Sequence, residues 1–71
     1  MKEFKLKEDY IELIRLLKYV RIADTGGHAK ILVDEGLVKL NGEVEHRKRA
    51  KVRAGDIVEA EGQTIAVVSG L

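Results

Sequence analysis

Apolar and polar residues alternate weakly at the start of the chain. Phe4 and Leu6 are separated by Lys5 and flanked by Lys7, a short strand signal. The period then lengthens. Tyr10, Leu13, Ile14, Leu16, Leu17 and Val20 share one face of a 3.6-residue repeat, with Glu12, Arg15 and Tyr19 opposite, which predicts an amphipathic helix. Asp9 and Glu12 form an Asp-x-x-Glu variant of the capping box, so Asp9 is the expected N-cap. Ile22-Ala23-Asp24 ends this helix and Thr25 reads as the N-cap of a second one. Gly26 and Gly27 fall in its first turn, Ala29, Leu32 and Val33 on its apolar face, and Gly36 at its end.

From Leu37 the period changes to two. Val38-Lys39-Leu40 predicts a strand, Asn41-Gly42 a tight hairpin turn, and Glu43-Val44 the start of the return strand. Ala54-Gly55-Asp56 predicts another turn. Ile57, Val58 and Ala60 then read as a strand, Glu61-Gly62-Gln63 as a turn, and Thr64 to Val68 as the last strand. The predicted class is α+β: two short N-terminal helices packed on a small antiparallel sheet that is mostly C-terminal. No linker or repeat divides the 71 residues, so a single domain over 1–71 is expected.

Composition narrows the function. Charged residues make up 35% of the chain and hydrophobic residues 45%, a folded rather than disordered balance. There is no cysteine, and His28 and His46 stand far apart with no thiol beside them, which argues against a structural zinc site. No apolar run approaches membrane-spanning length and Met1 to Asp9 has no signal-peptide core, so the cytoplasm is the expected compartment.

A net charge of +1 hides a local excess of positive charge. The twelve acids are spread out, whereas His46-Arg47-Lys48-Arg49-Ala50-Lys51-Val52-Arg53 contains five Lys or Arg residues and no acid. Such a run binds polyanions by releasing condensed counterions. In an extended strand Arg47, Arg49, Lys51 and Arg53 share a face and Lys48 points away. The plainer reading of the same run is a solvated, charge-rich connection.

Thr25-Gly26-Gly27-His28-Ala29-Lys30 offers a second candidate. Glycines at a helix start let a phosphate approach exposed N–H groups at the positive end of the dipole, with Lys30 in reach. An ordinary glycine-containing cap is the alternative. Neither the dinucleotide nor the Walker glycine pattern is present. No serine or cysteine nucleophile pairs with His28, and no acid–base pair stands out, so no catalytic residue is assigned and a non-enzyme is expected. Aromatics are sparse. Tyr10 is expected in the core and Tyr19 on the surface, which favours shape and backbone recognition of folded RNA over single-strand binding.

The stretch Leu13 to Glu59 resembles the S4-like RNA-binding domain. The matching features are the amphipathic helix ending near Val20, Thr25 opening the second helix, and Ala29, Leu32-Val33, Gly36, Val38, Asn41-Gly42 and Gly55-Asp56. Glu45 to Val52 is similar to the basic segment of the short, stand-alone bacterial YbcJ-like group. The resemblance implies a helix–helix–strand motif, the αL motif, presenting a basic surface to structured RNA, ribosomal RNA above all. Two positions depart from the family pattern. Glu12-Leu13-Ile14 stands where many members have Arg-Leu-Asp, and Thr25-Gly26 where many have Ser-Arg. The missing arginine leaves Lys30, Lys39 and the Arg47–Arg53 cluster to supply phosphate contacts.

The expected site is therefore Thr25, Gly26, Gly27, Lys30, Lys39, Asn41, Arg47, Lys48, Arg49, Lys51 and Arg53. The expected partner is structured RNA, with ribosomal RNA or the ribosome as the implied target; no cofactor, metal or membrane partner is implied, and a monomer is expected. Two other classes fit the length and composition. One is a protein-interaction adaptor using the same sheet. The other is a ubiquitin-like sulfur carrier, against which the ending Ser69-Gly70-Leu71 argues because it lacks a terminal diglycine.

Overall fold

The computed structural model describes residues 1–71. In chain order the elements are β1 (Lys2–Leu6), β2 (Ile11–Glu12), α1 (Leu13–Tyr19), α2 (Gly26–Asp34), β3 (Val38–Leu40), β4 (Glu43–Val44), β5 (Lys51–Val52), β6 (Ile57–Ala60) and β7 (Gln63–Ser69). The strands form a five-stranded sheet in the order β1-β7-β6-β3-β4 and a two-stranded ladder, β2-β5. The class is α+β, as the change of period predicts.

The C-terminal part of the sheet is antiparallel and built from tight turns. At the β3–β4 hairpin Asn41 and Gly42 both have positive φ, 53° and 87°, the turn whose twist matches the flanking strands. β1 departs from the antiparallel expectation. It runs parallel to β7, from Lys2 beside Ile65 to Leu6 beside Ser69, so the first strand completes the sheet begun at the other end of the chain. Alternation within β1 identifies a strand but carries no signal of its partner or direction.

Seventeen buried side chains, all hydrophobic, form one core between the helices and the sheet. Leu13, Leu16 and Leu17 come from α1, Ala29, Leu32 and Val33 from α2, and Val38, Val58, Ile65 and Val67 from the sheet. No helix is long and apolar enough to cross a membrane.

The start of α1 differs from the capping-box expectation. Its N-cap is Glu12, which makes no side-chain cap bond, and Asp9 lies outside the helix. Tertiary contacts take over. Ile11 and Glu12 pair with Val52 and Lys51, and the N–H groups of Leu13 and Ile14 donate to the carbonyls of Ala50 (2.9 Å) and Lys48 (3.2 Å). Main-chain carbonyls thus satisfy orphan N–H groups that a capping side chain would otherwise take. Tyr10 therefore precedes an extended segment, and the helical periodicity that assigned it to the core does not apply; it is 39% exposed.

α1 ends at Tyr19 with Val20 as its C-cap, and Arg21 follows with φ of 61°, a left-handed position that costs a non-glycine residue about 1–2 kcal/mol. α2 follows the sequence closely. Thr25 caps it, accepting from the His28 N–H at 3.0 Å, and Gly36 lies just past its end with φ of 73°.

Candidate nucleic-acid interface

The basic segment is mostly a loop. Only Lys51 and Val52 are in a strand; a turn at Lys48–Arg49, closed by the Ala50 N–H donating to the Arg47 carbonyl at 3.1 Å, reverses the chain before them. Ala50, 4% exposed, is the loop's apolar foot in the core. Its carbonyl and that of Lys48 hold the first amides of α1, so the loop is seated on the helix start by main-chain bonds.

Side chains shape the rest of the loop. The Glu45 carboxylate accepts from the Arg47 main-chain N–H at 2.9 Å and from its Nε and Nη2, both at 3.1 Å. These bonds to Arg47 hold the Glu45 carboxyl below its usual pKa and raise that of the Arg47 guanidinium. Lys48 reaches Asp34 at the end of α2, with Nζ to Oδ1 at 3.3 Å.

Arg47, Arg49, Lys51 and Arg53 line one shallow hollow with Ala50 between them. The alternation expected of a strand is not what gathers them; the Lys48–Arg49 turn and the β2–β5 ladder do. Arg47 and Lys48 are the members of the run that make ion pairs, which leaves Arg49, Lys51 and Arg53 available to an external anion.

The start of α2 forms a separate corner. The end of α2 meets the basic loop through the Lys48–Asp34 ion pair, so the start of α2 lies at the other end of that helix. At 1.5 Å per residue, Gly26 sits about 12 Å along the axis from Asp34. There Thr25 Oγ1 occupies the His28 N–H, and the N–H groups of Gly26 and Gly27 remain at the helix mouth. An added Cβ would meet nothing within 4 Å at Gly26 and only Thr25 Oγ1, at 3.8 Å, at Gly27. Neither glycine is required by the chain's own packing. His28 Nδ1 accepts from the Asp24 N–H at 3.3 Å, so a neutral ring carries its proton on Nε2 as a free donor. Lys30 is exposed on α2.

Lys39 and Asn41 are placed differently again. Lys39 stands beside Glu59 in the β3–β6 register and shares a hollow with Glu59 and Glu61. Asn41 uses both polar atoms within the chain: Nδ2 donates to Asp56 Oδ1 at 3.0 Å and Oδ1 accepts from the Ile57 N–H at 2.8 Å. Asp56 in turn accepts from the Arg53 main-chain N–H at 2.8 Å, so the hairpin turn braces the end of the basic run.

One residue of this face escaped the sequence reading. Lys51 Nζ lies 5.0 Å and Arg53 Cζ 5.8 Å from the centre of the Tyr10 ring, which places an aromatic at the edge of the basic hollow. No sequence signal marks it, because the residues after Tyr10 read as helix and β2 exists only through its pairing with β5. A further hollow on α1 is lined by Arg15, Lys18, Tyr19 and Arg21, with Tyr19 packed edge-on to Phe4 at 5.7 Å.

Comparison with known proteins places this geometry in context. A family model described as S4 domain matches residues 4–68. YbcJ from Escherichia coli (strain K12) is 43% identical over 63 residues, covering 89% of this chain and 90% of YbcJ. A Bacillus subtilis (strain 168) protein named "Probable ribosome maturation protein RlbA" is 39% identical over 54 residues, 72% of this chain and 76% of its own. The solution structure of E. coli YbcJ, described as revealing an αL motif involved in RNA binding, superposes with a TM-score of 0.75, covering 97% of this chain and 89% of that one. The 30S ribosomal protein S4e from Thermoplasma acidophilum matches at a TM-score of 0.67 and 25% identity, over 82% of this chain and 31% of S4e.

Proposed function

The chain belongs to the S4 domain family, and from that premise we propose that it is a non-catalytic RNA-binding protein, a single domain acting as a monomer, that grips structured RNA through its basic face. The observation that carries this reading is the hollow formed by Arg47, Arg49, Lys51 and Arg53, seated on the start of α1 by main-chain bonds. A rigid seat fixes where the cations stand, and phosphate contacts of this kind set orientation rather than base sequence. Thr25, Gly26, Gly27 and Lys30 supply a second contact, at the end of α2 remote from the Lys48–Asp34 ion pair. Asn41 braces the end of the basic run through Asp56, and Lys39 offers a further cation on β3, beside Glu59. Ribosomal RNA is the proposed target, supported by the ribosome-maturation name of the B. subtilis relative and by the likeness to S4e.

The test is charge reversal. Three phosphate contacts, from Arg49, Lys51 and Arg53, give a slope of roughly −2 to −3 in log K against log salt. Changing Arg49, Lys51 and Arg53 together to Glu should abolish binding to ribosomal RNA at moderate salt while the circular dichroism spectrum stays unchanged. A folded triple variant with wild-type affinity sinks the reading.

A further inference from the structure

On the reading that this face binds RNA, we propose that Tyr10 is a stacking platform for an unpaired nucleobase, so that the preferred ligand is a stem carrying a bulged or flanking unpaired nucleotide rather than a continuous duplex.

Four observations lead there. Tyr10 is a large aromatic left 39% exposed beside the cations. It directly precedes Ile11, which pairs with Val52, so its backbone is held in place. Its ring lies 5.0 Å from Lys51 Nζ and 5.8 Å from Arg53 Cζ, and both side chains also line the basic hollow. Ring and phosphate-binding cations are thus one site. Tyr10 also lines a hollow with Glu8, Asp9, Glu12 and Arg15, three carboxylates against one guanidinium. The net negative charge of that hollow disfavours a phosphate, so the sugar–phosphate backbone runs along Lys51 and Arg53 and an uncharged base is what reaches the ring.

A base inside a helix is covered on both faces by its neighbours and offers only its edges, so the ring has no use for a continuous duplex. An unpaired base offers a full face. Stacking on an aromatic outweighs an exposed cation–π contact, so Lys51 and Arg53 give up the ring to the base and turn to the adjacent phosphates. The tyrosine hydroxyl plays no part in this exchange.

The full-length protein should be titrated with two hairpin RNAs that share one stem, fully paired in one and carrying a single bulged 2-aminopurine in the other. The wild type should bind the bulged stem about tenfold more tightly and quench its fluorescence. Tyr10→Leu should lose both the preference and the quenching, and Tyr10→Phe should keep them. Equal affinity for both stems without quenching, or a Tyr10→Leu variant that retains the preference, overturns the stacking role and leaves the RNA reading standing. A wild type that binds neither stem overturns both.

Discussion

The Leu13 N–H donates to the Ala50 carbonyl at 2.9 Å, joining the first turn of α1 to the middle of the basic run. Because Ala50 is buried at that point, its side chain sets how closely the loop sits on the helix. Ala50→Leu should overpack the seat, costing about 1–3 kcal/mol in urea unfolding. It should also weaken RNA binding severalfold by displacing Arg49 and Lys51. A destabilised variant with unchanged affinity would show that the seat does not govern the cations.

Gly26 and Gly27 separate binding from stability. Glycine is less favourable than alanine inside a helix by up to about 1 kcal/mol, and neither position has a neighbour that an added methyl would strike. The double variant Gly26→Ala, Gly27→Ala should therefore melt at a higher temperature than the wild type. If a phosphate approaches the helix mouth, the same variant should bind RNA severalfold more weakly. Calorimetry and an RNA titration on one sample read both effects.

Glu45 restrains Arg47 and places a negative charge beside the hollow. Glu45→Gln should bind RNA more tightly at low salt, with the gain shrinking as salt screens it. The pH dependence follows from the lowered pKa of the folded carboxyl, caused first by its side-chain bond to Arg47. The unfolded chain takes up this proton at a higher pH than the folded one. The contribution is complete above the ordinary glutamate value of 4.5 and is lost as pH falls through the lower folded value. Wild type and Glu45→Gln should therefore differ in stability at neutral pH and converge in acid, as urea titrations at a series of pH values would show.

Asn41→Ala removes two hydrogen bonds, to Asp56 and to the Ile57 main chain, and should cost about 1–3 kcal/mol of stability. Its effect on RNA affinity, measured where the variant is fully folded, should be smaller than that of losing Arg49. A large affinity loss with little destabilisation would make Asn41 a direct contact.

Much of the fold could be read along the chain because local chemistry decides it. The β3–β4 turn follows from Asn41-Gly42, the cap of α2 from Thr25, and the buried faces of the helices from the spacing of Leu13, Leu16, Leu17, Ala29, Leu32 and Val33. The site was less legible. The run Arg47–Arg53 is visible as charge density, but its ion pairs to Glu45 and Asp34 are set by geometry, and one of those acids is on a different element.

Residue order thus determined the element types outside β2, most of the core-facing side chains and the presence of a concentrated positive run, because capping, turn preference and periodicity act over a few neighbours. Only the tertiary structure decided the parallel pairing of β1 with β7, the replacement of Asp9 by the carbonyls of Ala50 and Lys48 at the start of α1, and the meeting of Tyr10 with Lys51 and Arg53. Each joins segments far apart along the chain. Such contacts form when the shared core closes, and no local preference of either partner specifies them.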